Sequence, residues 1–265
     1  MNITDHLQEK KYVAFLDVLG FKELVRQKGE RLNSYFETIH TALNDIELDK
    51  AEITSQLVSD SIILACDFSN DNLRLLLKAV QTIQSRCALK NIWIRGAITI
   101  GDIHFDRKLN VVVGNGLTDS YLLESQEKFP RIIIDPKVLS LENGFGSRAK
   151  FIKEFNKVDN RDGIPLIHES YSENETIETD AIFVSFAERL ISQGVDSIQS
   201  IYENIQKELY FNQKNYPKYL WLKQYFIEVL FRKANHIESF QREINVSENF
   251  NIAKLRSYHN KFLNL

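Results

Sequence analysis

The sequence predicts an α+β fold, a ferredoxin-like sheet with helices on one face, followed by a helical extension. Three observations carry this. Short β-branched runs alternate with segments of three- and four-residue apolar spacing over the first two-thirds of the chain. Turn-forming residues punctuate those runs. From Val195 onward only helical spacing remains, rich in Leu, Ile, Tyr and Phe.

The elements follow in order. "YVAFLDV" from Tyr12 is a short buried strand, and Lys22 to about Asn44 has the spacing of one helix. "EITSQLVSDSIILAC" is two strands bent at Ser59-Asp60-Ser61. Asn72 to Ala88 is an amphipathic helix, and "NIWIRGAITIGDI" a β-branched strand. "NVVVGNG" is a strand running into a helix from Leu117 to Glu127, and "RIIIDP" a strand stopped by Pro136. "KFIKEFNKV" and "GIPLIHES" read as a terminal hairpin around "DNRDG". The polar "SENETIETD" then closes the unit. The expected boundaries are 1–179 for the sheet domain and 180–265 for the extension. The order β-α-ββ-α-β-β-α-β predicts an antiparallel ferredoxin-like sheet.

Composition excludes several classes. With 265 residues, 43% hydrophobic and 26% charged, the chain can bury a core and is neither disordered nor collagen-like. A net charge of -3 supplies no basic field, so nucleic acid is not the expected partner. Two cysteines, Cys66 and Cys87, make neither a disulfide framework nor a metal motif, and a reduced, cytoplasmic setting is expected. "MNITDHLQEKK" lacks a signal-peptide core, and no apolar run approaches the roughly 20 residues of a membrane span. No HExxH or G-x-S-x-G pattern is present, which disfavours zinc and serine-hydrolase chemistry.

Asp17 ends the first strand and Asp60 sits at the tip of the following hairpin. If strand one lies beside that hairpin, both carboxylates meet at one end of the sheet. Hard oxygen ligands of this kind suit Mg²⁺ or Mn²⁺, with water and phosphate completing the shell. "VLGF" then turns into a helix whose first amides can seat phosphate oxygens, with Gly20 permitting close approach. Either acid alone is more often a cap or a solvated turn residue.

At these residues the chain resembles the class III nucleotidyl cyclases. "FLDVLGF" looks like their first metal-binding strand, "SQLVSDSIIL" like their second metal motif, and "IRGAITIGDI" like their central strand. "VVVGNGLTDSYLLES" resembles the strand end and helix that carry transition-state residues. The resemblance spans roughly Tyr12 to Glu169, with the motifs in order. It departs at the purine-reading positions, which are Gln56 and Val111 here. The Asn and Arg of the helix fall on Thr118 and Leu122. The pattern "FLDVLGF…SDS…RGA…G.GL..SY.LE" looks most like the pyrimidine cyclases of the bacterial anti-phage Pycsar system.

That resemblance implies conversion of UTP or CTP to the 3′,5′-cyclic monophosphate and pyrophosphate, signalling to a separate cyclic-nucleotide effector protein. It implies Asp17 and Asp60 as the catalytic metal ligands, with the Val18 carbonyl, around two Mn²⁺ or Mg²⁺ ions. The amides of Leu19, Gly20, Phe21 and Lys22 would hold the β- and γ-phosphates. Gln56 and Val111 would face the base, and Thr118 the ribose. A homodimer with composite sites follows from the resemblance. Leu122 leaves the usual phosphate cation missing. Arg95, Lys157 and Arg161 are the candidate replacements, although Arg95, mid-strand before Gly96, fits packing or a dimer interface at least as well; Arg107 and Lys108 read as a solvated turn. Gln56 also fits an ordinary strand residue, and "YPKYLWLKQYFIEVLF" fits core or dimer packing as well as recognition. Two other readings stand: a catalytically inactive nucleotide-sensing module, and a purine cyclase with an altered base pocket.

Overall fold

The computed structural model describes residues 9–48, 53–140, 143–156, 166–173, 176–244 and 252–265. The chain forms two compact units, Met1–Ser185 and Phe186–Leu265. The first contains β1 (Lys11–Val18), α1 (Phe21–Gln27), α2 (Glu30–Leu48), β2 (Ile53–Val58), β3 (Ser61–Asp67) and α3 (Asn70–Leu89). After these come β4 (Ile94–Gly101), β5 (His104–Asp106), β6 (Val111–Val113), α4 (Asn115–Gln126) and β7 (Ile132–Ile134). It ends with α5 (Arg148–Phe155), β8 (Leu166–Glu173) and β9 (Thr176–Val184), so position 179 falls inside β9.

Seven strands form one sheet in the order β2-β3-β1-β4-β7-β9-β8, and β5-β6 make a separate ribbon. Neighbours are antiparallel except β4 and β7, which run parallel. The sheet is therefore mixed. Between β4 and β7 the chain passes through α4, and such a crossover returns the next strand in the same direction.

β1 is an unbroken apolar run because both its faces are covered. Tyr12, Ala14, Leu16 and Val18 join a core with Tyr35, Ile39 and Ala42 of α2 and with Leu73, Leu76, Leu77, Val80 and Ile83 of α3. Each such large side chain contributes about 1.5–3 kcal/mol relative to exposure. Val13 and Phe15 face the other way, against Ile63, Ala65, Ile103, Phe105, Val112 and Leu117. The β5-β6 ribbon and α4 therefore cover the second face, correcting the expectation of helices on one side.

The helical spacing of α4 was legible, but its buried stripe is Gly116, Ser120 and Glu124 rather than apolar residues. Small residues let α4 lie close to the strands. A Cβ on Gly101 would stand 2.5 Å from the Gly116 nitrogen, and one on Gly114 only 2.2 Å from the Asp102 carbonyl oxygen. Gly114 also has φ +151°, open to glycine and strained for other residues.

Two local expectations are corrected. The single helix from Lys22 to Asn44 is α1 and α2, interrupted at Lys28-Gly29, where Lys28 takes φ 38°. "KFIKEFNKV" is largely α5 and not a strand. Ser147 caps it by accepting from the Lys150 amide, while Phe151 and Phe155, four apart, pack together with ring centroids 4.7 Å apart. The terminal hairpin is β8-β9, and most of "SENETIETD" lies within it. Backbone pairing, which polar residues also allow, holds that hairpin in the sheet. "DNRDG" lies outside the described residues.

The second unit contains α6 (Phe186–Gln193), α7 (Ile198–Phe211), α8 (Tyr216–Ile244) and α9 (Ile252–Leu263). Its core includes Ile201 and Ile205 of α7, Leu222, Phe226 and Leu230 of α8, and Leu255 and Phe262 of α9. Trp221 stacks on Tyr225 at 5.1 Å and Phe226 on Phe262 at 5.4 Å. The aromatic run of α8 is thus mainly core, although Tyr216 and Phe231 are exposed. Among the described residues no helix is long and apolar enough to cross a membrane.

Candidate active site

The site is built at one end of β1. Asp17 stands in register between Ser61 of β3 and Arg95 of β4. The β2-β3 hairpin has a two-residue loop, Ser59-Asp60, between the paired Val58 and Ser61. Ser59 takes φ 58°, as primed hairpin turns require at their first position. This tight turn sets Asp60 beside Asp17, within reach of a side-chain hydrogen bond when one of the two is protonated. Tyr35 of α2 holds the turn from beneath, its hydroxyl donating to the Asp60 carbonyl at 3.3 Å.

Burial, and then the adjacent Asp60 charge, raise the Asp17 carboxyl above its ordinary range; the Arg95 guanidinium opposes them. Two acids held together with their side chains reachable from solvent (Asp17 is 20% exposed) could seat a cation, because a positive ion would relieve their repulsion. Among the described residues no set of three or more His, Cys, Asp or Glu is grouped to bind metal. A carboxylate pair is the donor set expected for Mg²⁺ or Mn²⁺ that keeps water and phosphate oxygens. The residues fit such an ion. Val18, the suggested carbonyl ligand, is the last residue of β1.

Arg95 is bound up with this acid pair. Its Nη2 donates to Asp17 Oδ2 at 3.4 Å and its Nη1 to the Glu127 carbonyl at 2.8 Å. Its Nε lies 2.5 Å from Oε1 of Glu124, an ion pair without hydrogen-bond alignment. Glu124 is 2% exposed, and burial first, then the Asp17 and Asp60 charges, raise its carboxyl, with Arg95 opposing. Glu127 is itself buried and paired with Arg131 at 3.0 Å. Sequence reasoning assigned no role to Glu124. The available signal was its position eight after Gly116 and four after Ser120, on the helix face that meets the sheet.

The remaining sequence candidates divide. The Leu19 amide donates to the Trp93 carbonyl at 2.8 Å, so it is committed to the backbone and is withdrawn as a phosphate donor. Phe21 and Lys22 open α1, and first-turn amides have no acceptor within their helix. Gly20 takes φ +84°, and a Cβ there would meet nothing closer than 4.0 Å. Backbone conformation, rather than close approach, accounts for this glycine. Gln56 shares a sheet face with Ile63 and donates to Asn110 Oδ1 at 2.7 Å. Asn110, which the sequence did not single out, sits at φ 53° immediately before Val111, so the turn brings Gln56 and Val111 into one neighbourhood.

Thr118 and Leu122 are exposed on α4, about 200° around the helix from the Gly116-Ser120-Glu124 stripe. Within one chain they are not brought to the acid pair. Arg107 and Lys108 are exposed in the β5-β6 turn, where Asp106 accepts from the Lys108 and Leu109 amides. Lys157 and Arg161 lie outside the described residues.

No family model matches the sequence, and no curated protein does. Among solved structures the chain is similar to the adenylyl cyclase CyaB from P. aeruginosa, at 16% identity, 67% coverage of this chain, 94% of the other and a TM-score of 0.42. It is similar to the guanylate cyclase domain from Catenaria anguillulae in complex with GTP, at 13% identity, 67% and 96% coverage and a TM-score of 0.44. A third is a double mutant of the guanylyl cyclase domain of the RhoGC fusion protein from Blastocladiella emersonii, at 14% identity, 67% and 94% coverage and a TM-score of 0.45.

Proposed function

We propose that this chain is a metal-dependent nucleotidyl cyclase that closes a pyrimidine nucleoside triphosphate, UTP or CTP, to its 3′,5′-cyclic monophosphate with release of pyrophosphate. The observation that carries the reading is the meeting of Asp17 and Asp60, 43 positions apart in the chain, at one rim of the sheet. Bound divalent ions, two Mg²⁺ or Mn²⁺ in this reading, supply activation of the ribose 3′-hydroxyl and neutralisation of the departing pyrophosphate.

The chain's own residues do the rest. Asp17 and Asp60 hold the ions, assisted by the Val18 carbonyl. The amides of Gly20, Phe21 and Lys22 orient the β- and γ-phosphates. Gln56, tied to Asn110, presents an amide edge to the base beside the apolar Val111. An exocyclic purine group left unpaired against that valine costs roughly 1–3 kcal/mol, which favours the smaller base. Thr118 faces away from the acid pair of its own chain, as it should if it serves the site of a second copy. A homodimer with composite sites is therefore part of the proposal. So is a product read by a separate effector protein in anti-phage defence, a role supported by the sequence resemblance.

Purified protein incubated separately with UTP, CTP, ATP and GTP plus Mn²⁺ tests this. Cyclic product from a pyrimidine is expected. Product from a purine alone rejects the base assignment. A second reading, a nucleotide sensor without turnover, is favoured by one observation: Leu122 is apolar and half exposed where a phosphate cation is required. Metal-dependent nucleotide binding without product from any of the four would establish it.

A further inference from the structure

Arg95 lies across from Asp17 on the neighbouring strand, and three groups compete for its guanidinium. The short contacts are to Glu124 at 2.5 Å and the Glu127 carbonyl at 2.8 Å; the contact to Asp17 is the longest, at 3.4 Å. Glu124 approaches from α4, brought down by the Gly116-Ser120 stripe, and is almost wholly buried. Its distal oxygen is thus fixed where it draws the guanidinium toward the helix and off the acid pair. We infer that Glu124, acting on Arg95, is a positioning residue that keeps Asp17 open to a divalent cation.

This rests on the reading of Asp17 and Asp60 as a metal seat. Without the Glu124 charge, Arg95 would have one carboxylate site to neutralise, the Asp17-Asp60 pair. It would close on that pair and occupy the seat as a resident cation. A planar, forked guanidinium presents several fixed donors that can span two carboxylates in this way.

The test is Mn²⁺ binding by calorimetry to the full chain without nucleotide, with thermal melts as a check on folding. Wild type is expected to bind and Asp17→Asn to lose binding. E124Q should bind roughly 10–100-fold more weakly, the range found when groups orienting a metal ligand are removed. Arg95→Met should bind at least as tightly as wild type, and adding E124Q to it should change affinity less than about twofold, because each tenfold is a resolvable 1.4 kcal/mol. If E124Q fails to melt cooperatively, Glu124→Met replaces it, with the same loss and the same cancellation expected. Unchanged affinity in E124Q overturns the inference. So does an equal loss in the Arg95→Met background, which would mean that Glu124 acts without Arg95. Absence of Mn²⁺ binding in the wild type, or normal binding in Asp17→Asn, instead overturns the metal seat itself.

Discussion

Asp17→Asn removes one charge from the acid pair and keeps the side chain's size and its acceptor toward Arg95. In the metal-free protein two electrostatic effects then oppose each other. Unit charges about 4 Å apart near a protein surface interact by about 4 kcal/mol. Asp17 is repelled by Asp60 and attracted by Arg95, whose Nη2 is 3.4 Å away. Losing both, together with a burial penalty, leaves a net change of about 1 kcal/mol, or a shift in melting temperature of about 2–4 °C. Activity behaves differently. Charge neutralisation by a metal is worth several kcal/mol in such a transition state, so about 4 kcal/mol lost corresponds to roughly 10³ in rate. The assay measures cyclic product from each triphosphate with Mn²⁺ in excess, beside melts with and without Mn²⁺. Wild type should gain about 2.7 kcal/mol of stability at a hundred times the dissociation constant, and the variant none of it. Turnover within tenfold of wild type, or an undiminished Mn²⁺ stabilisation, would refute the reasoning.

Further outcomes are expected elsewhere. Because burial and Asp60 raise the Asp17 carboxyl above its ordinary 3.8, the metal-free native state takes up its proton more readily than the unfolded chain does. Its contribution to stability is full below the ordinary value and is lost as pH rises through the raised one. Mn²⁺ needs the ionised acid, so stabilisation by Mn²⁺ grows with pH over the same window; melts across pH with and without the ion should show opposite slopes. Asn110→Gly keeps the left-handed turn and deletes the amide that holds Gln56. One hydrogen bond of about 0.5–1.5 kcal/mol predicts a UTP-to-CTP rate ratio altered about two- to twelvefold, and an unchanged ratio removes the pair from base reading. Gly114→Ala should destabilise by about 3 kcal/mol or more in denaturant unfolding, since it combines φ strain with a backbone collision at 2.2 Å.

Local periodicity carried most of the strand and helix assignments of the first unit, because β1, β3 and β4 are apolar runs bounded by turn residues. It fell short over short or partly polar segments. α5 differs from the expected strand because its eight residues span only two helical turns, too few to show the helical period in the sequence. β8 lies in the expected "GIPLIHES" strand, but its partner is β9, which begins in the polar "SENETIETD", where alternation gives no strand signal and the backbone makes the pairing. At the site, the two acids were legible because each stands at a sharp boundary of an apolar run. The supporting residues were not, since Glu124, Glu127 and Asn110 have ordinary neighbours in sequence and acquire meaning from Arg95 and Gln56 across the fold.

By itself, the sequence determined the α+β order and the positions of Asp17 and Asp60 at the ends of apolar runs. These are properties of residue type at fixed spacing, which a chain carries before it folds. Only the tertiary structure decided that the acids meet, that Leu19 is spent on Trp93, and that Arg95 is shared between Asp17 and Glu124. Those are distances between strands and a helix, set by register and by how closely glycines let α4 approach, and no local pattern encodes them.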